Sequence, residues 1–197
     1  QDDTIELVPY NSISEKVAFT TPALIDLSVS GMYNGAQLGN YNGGGARGYI
    51  FGAAFIEQGD NRGEDVVNLA AFFQFTYTGT HDATTANNVY YWSDAYRLIN
   101  RTNIVIEGVT NAAASGVISQ ELANDYIGQA KFFRAIAHNE LLIHFARPIQ
   151  DQNGANLGVP YREIPYNTPA NIELGMAQGR NTVADCYAKI LKDLNEA

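Results

Sequence analysis

His138, Glu140 and His144 stand within the run HNELLIH, residues 138–144. Zinc peptidases place two histidines four apart on a helix, with a glutamate beside the first, so that both imidazoles face one metal. Here the histidines are six apart, about 240° around a helix, and one metal does not see both. Glu140 and His144 share a face and suit a local ion pair instead. GGGARG, residues 43–48, satisfies G-x-G-x-x-G, but the polar GNYN precedes it where a dinucleotide site needs a strand. It also lacks the Gly-Lys-Ser/Thr ending of a phosphate loop, and reads as a glycine-rich surface loop. QGDNRGEDVVN, residues 58–68, gathers Asp60, Glu64 and Asp65. Their hard oxygens suit calcium, yet the spacing is not that of an EF-hand, and the stretch reads as a turn with solvated charges. A glycoside hydrolase needs two carboxylates about 5–10 Å apart in a cleft. The sequence singles out no such pair and no Ser–His–Asp order, so catalysis has nothing specific to rest on.

The aromatic residues offer a different chemistry. A flat ring packs against the C–H face of a pyranose, while amides and charged groups take the hydroxyls; the same amphipathic character suits Tyr and Trp to interfaces generally. Tyr41, Tyr49, Tyr77, Tyr90 and Tyr91 lie in or beside loops, and Trp92 opens a helix next to them. Tyr77 and Tyr90 flank the polar loop GTHDATTANN and are the better placed for exposure. Trp92 has two readings, core packing between helices and ligand stacking, with packing slightly favoured. Asp60, Asn61 and Arg62 supply polar partners. Tyr77, Tyr90, Trp92, Asp60, Asn61 and Arg62 are therefore the candidate ligand-binding set, with no cofactor and no metal.

Helices must position these residues. Thr21 is a good N-cap and Pro22 sits at the first helical position, opening a helix to about residue 38. Residues 49–79 mix β-branched and aromatic residues and read as a helix-to-strand mixture. Trp92, Ala95, Tyr96, Ile99, Asn103 and Ile106 recur at helical spacing over 88–109. Ser119 caps a long helix, about 120–146, that Pro148 ends. The proline- and glycine-rich segment 149–180 reads as a long loop. Thr182 with Asp185 makes a capping-box-like start to a last helix, in which Val183, Ile190, Leu191 and Leu194 supply the apolar face and Cys186 is a small buried hydrophobe.

The long helix is apolar on two sides. Tyr126, Ala130, Phe133, Ala137 and Leu141 line one face, and Phe132, Ile136 and Ile143 another, with Lys131, Arg134 and His138 as a narrow polar line. A helix with two apolar faces is sandwiched between neighbours, as in stacked helix pairs. The alternation of small and large residues in Trp92-x-x-Ala95-Tyr96 and in Ala130–Ala137 resembles tetratricopeptide repeats without matching their full pattern.

Composition sets the outer bounds. The 197 residues are 46% hydrophobic and 17% charged, ordinary for a globular chain. A net charge of −9 disfavours sequence-independent nucleic-acid binding and electrostatic docking on anionic membranes. An acidic, tyrosine-rich surface suits a neutral or cationic ligand better, while acidity that simply aids solubility is the favoured reading. The single Cys186 excludes an internal disulfide framework. No apolar run reaches the ~18 residues of a membrane span. No signal peptide is visible ahead of Asp2 and Asp3, so an exported protein would have lost its leader.

The run from Tyr91 to Ile106, with Trp92, Tyr96, Ile99 and Asn103, resembles the W-x-x-x-Y-x-x-I-x-x-x-N segment of SusD/RagB-like nutrient-binding lipoproteins. Ala130–Ala135 is similar to their A-K-F-x-R-A signature, followed by the aromatic, small residue and proline of Phe145, Ala146 and Pro148. Arg180–Tyr187 and Ile190–Ala197 continue the match, as do the acidic Asp2-Asp3 start, the Pro22 helix and the Gly59-Asp60-Asn61 element. The resemblance spans essentially the whole chain and is specific in combination. It implies a mostly α fold, a tetratricopeptide-like superhelix with long loops and a little β. Residues 1–197 would form the N-terminal helical domain of a longer family fold whose C-terminal part contributes to the ligand site. It further implies a binding protein rather than an enzyme. Such a protein is lipid-anchored at the outer face of a Bacteroidetes-like outer membrane, and captures glycans or peptides for a SusC-like TonB-dependent transporter. The lipidated cysteine is absent, as in a mature chain starting just after it. The alternative is a helical-repeat scaffold that binds a protein partner and has no affinity for glycans.

Overall fold

The computed structural model describes residues 15–39 and 47–197. The acidic start at Asp2-Asp3, Tyr41 and most of GGGARG lie outside them. A short helix α1 (Glu15–Ala18) leads into α2 (Pro22–Leu38). The Thr21 side chain accepts from Leu24 N–H, and Pro22 occupies the first turn where no N–H is missed. At the far end Gly39 stands at φ 69°. A Cβ there would meet the Tyr49 carbonyl oxygen at 2.3 Å and Asp94 Oδ2 at 2.7 Å, so glycine is required both for conformation and for space.

The segment 49–79 contains no strand. It forms α3 (Ala53–Asp60) and a 3₁₀ turn (Ala71–Phe73) running into the single-turn α4 (Gln74–Tyr77). Its β-branched and aromatic residues serve tertiary packing rather than a ladder: Phe55 and Phe73 pack in or against the core. Tyr49 is fully buried, with its hydroxyl donating to Gln58 Oε1 at 2.5 Å. Tyr49, in a turn, and Tyr91, in a helix, are therefore core residues and not exposed aromatics.

Two long helices dominate, α5 (Ala86–Ala114) and α6 (Gln120–Phe145). The connection is only Ser115–Ser119, turned at Gly116 (φ 74°), so the two fold back on each other as a hairpin. Ser119 accepts from Leu122 N–H and starts α6. α2 packs on α5, α5 on α6, and α6 on α8 (Val183–Asn195). That succession is the helical superhelix expected from the sequence. Ile25 and Met32 of α2, Leu98 and Ile99 of α5, and Ala130, Ala137 and Leu141 of α6 are buried between the layers. Among the described residues the only β feature is an isolated bridge between Leu157 and Thr182.

Two expectations change. Segment 149–180 is not all loop: a 3₁₀ turn (Asp151–Gly154) precedes α7 (Pro169–Ala177), which Thr168 caps by accepting from Asn171 N–H. In α6, Phe132 and Ile143 are 47% and 57% exposed, so the second apolar face is not the one that is covered. The covered side is the polar line. Arg134 and His138 are buried against α8 and the segment before it. Arg134 donates from Nε and Nη2 to both oxygens of Asp193 (2.7 and 2.6 Å) and from Nη1 to Asn103 Oδ1 (2.8 Å). Tyr161 donates its hydroxyl to the same Asp193 at 2.6 Å, and Lys131 reaches Glu196 at 2.6 Å. The last helix is thus docked by matched charges, and burial is tolerated because every charge in the line has its partner.

Candidate functional site

The N-terminal turns of α5, the C-terminal turn of α6 and five loop residues enclose a cleft of about 610 Å³. Asn88, Val89, Trp92 and Ser93 come from α5, and His144 and Phe145 from α6. Arg62 follows α3, His81 and Asp82 belong to the loop before α5, and Arg180 precedes α8. The hairpin places the start of α5 beside the end of α6, and so joins residues about fifty positions apart.

Trp92 is half-buried and held by rings. Phe145 meets it edge-on at 5.1 Å between centroids, and Tyr96 lies at 4.9 Å. Phe145 in turn meets the buried Tyr91 at 5.9 Å. The indole is therefore held by these rings while, half-buried, it lines the cleft. A second cleft of about 450 Å³ lies across it, sharing Trp92 and Ser93 and walled by Tyr96, Asn100, Arg162 and Tyr166.

The polar wall is equally fixed. Asp82 Oδ1 accepts from Thr84 N–H and Thr84 Oγ1, each at 2.7 Å, and more weakly from Thr85 Oγ1. Asn88 Nδ2 donates back to Asp82 O at 2.9 Å. The hydrogen bonds from Thr84 hold the Asp82 carboxyl below its usual range, so it is ionised. Arg180 donates to the carbonyls of Gly158 (2.6 Å) and Leu157 (2.8 Å).

His144 stacks obliquely on Tyr91 at 4.3 Å and donates Nδ1–H to the Glu140 carbonyl at 2.9 Å. The Glu140 carboxylate is 3.8 Å away, beyond hydrogen-bond range. Burial, with the Arg62 guanidinium nearby, pushes the imidazole pKa down, and burial pushes the Glu140 carboxyl up. The expected Glu140–His144 ion pair is therefore a neutral imidazole bonded to backbone, with Nε2 left as an acceptor. His138 is elsewhere, fully buried and stacked on Tyr161 at 3.8 Å. Among the described residues no three His, Cys, Asp or Glu side chains gather as a metal site.

Of the six candidate residues, the cleft brings together Trp92 and Arg62. Tyr77, 39% exposed on α4, is not on its wall, and Tyr90 packs against the core. Asp60 ends α3 in solvent. Asn61 is almost buried, with Nδ2 donating to Glu57 O at 2.7 Å. The cleft adds His81, Asp82, Asn88, Ser93, His144, Phe145 and Arg180. His81 and Asp82 lie inside the polar loop the sequence had marked off by its flanking tyrosines. Arg180 had no local signal, because only the tertiary fold carries it there.

A family model described as SusD-like, "Starch-binding associating with outer membrane", matches residues 6–197. The chain belongs to the SusD-like family. Solved SusD-like structures agree. A SusD superfamily protein from Bacteroides fragilis superposes with a TM-score of 0.73 at 28% identity, over 90% of this chain and 39% of that one. A SusD-like carbohydrate binding protein from Bacteroides vulgatus superposes at 0.68 and 23% identity, over 89% and 35%. A SusD superfamily protein from Bacteroides thetaiotaomicron does so at 0.64 and 23%, over 88% and 36%. The chain thus spans well under half the length of these SusD-like relatives. A search of curated proteins finds no match.

Proposed function

We propose that this SusD-like protein captures glycans at the cell surface and passes them to a SusC-like TonB-dependent transporter, with the cleft beside Trp92 as part of its saccharide site. The observation that carries the reading is a ring-held indole lining a cleft with Arg62, Asp82, Asn88, Ser93 and Arg180. A ring face with hydroxyl-directed donors and acceptors around it is what a pyranose requires. Family membership supports the same reading, since the family is described as starch-binding and outer-membrane-associated. Binding without turnover fits a cleft whose one ionised carboxylate, Asp82, is held by hydroxyl and amide donors.

Among the described residues no helix is long and apolar enough to cross a membrane, and attachment through an N-terminal lipid would hold the protein at the outer membrane. The test is affinity electrophoresis of the protein and of Trp92→Ala through gels containing single polysaccharides, followed by co-purification with the neighbouring transporter. Retardation by at least one polysaccharide that Trp92→Ala abolishes is expected. No retardation by any glycan, with a peptide or protein retained instead, would favour a protein-interaction scaffold.

A further inference from the structure

The cleft carries a charge imbalance that runs against the rest of the molecule. Carboxylates outnumber lysines and arginines by 21 to 12 in this chain, and several cations elsewhere in the fold pair with them. Arg134 faces Asp193, Lys131 faces Glu196, and Lys189 faces Glu163. Around Trp92 this matching stops. Among the described residues Arg62 has no carboxylate partner, and Arg180 bonds only backbone carbonyls, which leave its charge uncompensated. Arg162, across the indole in the second cleft, donates to Tyr166 Oη, Gly175 O and Gln178 Oε1, again with no carboxylate.

On the cleft wall the remaining titratable groups do not offset them; the exposed Asp60, Glu64 and Asp65 flank Arg62 in sequence, but none lines the cleft. His81 lines the same wall. His144 is held neutral by burial, and Glu140, behind it, is pushed toward its neutral form. Asp82 is the one carboxylate on the cleft wall, and Thr84 and Thr85 already occupy its Oδ1. Two guanidiniums thus line the cleft with Trp92 against one carboxylate, and a third lines the second cleft. Guanidinium is a planar donor matched to carboxylate and sulfate oxygens.

We infer that the ligand of this cleft is an acidic saccharide, stacked on Trp92 with a carboxylate or sulfate drawn to Arg62 and Arg180. The inference rests on the glycan-binding reading above and narrows it. It also separates the cleft from the surface: the net charge of −9 suits neutral or cationic ligands on average, whereas the local sign at Trp92 is positive.

The test titrates the protein with two sets of oligosaccharides. The acidic set comprises galacturonate, glucuronate, mannuronate and sulfated oligomers; the neutral set comprises the methyl-esterified or desulfated forms with gluco-, xylo- and manno-oligosaccharides. An oligoglutamate serves as a charge-only control. We expect at least one acidic oligomer to bind, its neutral form to bind about tenfold or more weakly, and added salt to weaken the acidic ligand selectively. Arg62→Gln is the cleanest variant, because Arg62 is exposed and, among the described residues, no hydrogen bond of its side chain supports the fold. It should weaken the acidic oligomer about tenfold and leave the melting temperature unchanged. Arg180→Lys, which keeps a donor for the Gly158 carbonyl, should weaken it less. Equal binding of acidic and neutral forms, or an unaltered affinity in Arg62→Gln, overturns the inference while leaving glycan capture intact. Binding of oligoglutamate as tight as that of the acidic sugar overturns it as mere charge attraction. Failure of both sugar sets overturns the inference together with the glycan reading.

Discussion

Replacing Asp193 by alanine should detach α8 from α6. Asp193 and Arg134 are 3% and 6% exposed, and Asp193 accepts from Arg134 twice and from Tyr161 once. Removing one partner of a buried pair leaves the other charge uncompensated, at a cost of about 3–5 kcal/mol. The stranded Tyr161 hydroxyl adds to the same loss and not independently of it. For a domain of this size each kcal/mol moves the melting temperature by about 2–4 °C, so a fall on the order of 10 °C is expected. Far-ultraviolet circular dichroism during heating measures it. The variant that replaces both charges, Arg134→Met with Asp193→Leu, should recover much of the loss, since it leaves no buried charge. A melting temperature for Asp193→Ala within about 2 °C of the parent would refute the reasoning. It would mean that the apolar contacts of Val183, Cys186 and Ile190, and not the polar line, hold the last helix.

His138 should make stability pH-dependent. Its Nδ1–H donates to Arg134 O at 2.8 Å and its Nε2 accepts from Arg162 N–H at 3.1 Å, so both nitrogens are satisfied only in the neutral ring. Burial, with the Arg134 charge beside it, lowers its pKa to about 3. The unfolded value lies near 6.5, so the unfolded chain binds the extra proton. Stability is then full above about pH 6.5 and falls as pH drops toward 3, by up to about 1.4 kcal/mol per pH unit. Melting curves between about pH 5 and 7 should show this slope, and His138→Gln should flatten it; identical slopes in the two proteins would count against the neutral-ring geometry. Gly39→Ala should cost more than about 1 kcal/mol in denaturant unfolding, because the site combines positive φ with contacts to Tyr49 and Asp94. A neutral result would place the α2 exit in another conformation.

Much of the helical frame was legible because its signals are local. Thr21 with Pro22, Ser119 and Thr182 each cap where the sequence places them, and Pro148 follows the end of α6. α7 carries the same signature, Thr168 followed by Pro169, yet the surrounding prolines and glycines conceal it. The segment 49–79 was ambiguous because α3 opens at Gly52 without a side-chain cap and contains Gly59. The two faces of α6 show why periodicity stops short of packing. Apolar Phe132 and Ile143 stay exposed while Arg134 and His138 are buried, because the residues that decide it, Asp193 and Tyr161, lie far along the chain. The cleft follows the same rule. An indole next to a polar loop is visible in sequence; that His144, Phe145 and Arg180 complete its surroundings depends on how the hairpin folds and where α8 docks.

Trp92 is the single tryptophan of the chain, so its fluorescence reports on the indole that the two clefts share. Titrating the protein with glycan oligomers while following this emission tests the central claim most directly. A saturable change in intensity or wavelength, absent when Trp92 is replaced by phenylalanine and a tracer reports affinity instead, is the predicted result if the ring forms the saccharide platform. Tight glycan binding, measured calorimetrically, with no change in Trp92 emission would place the ligand elsewhere and contradict it.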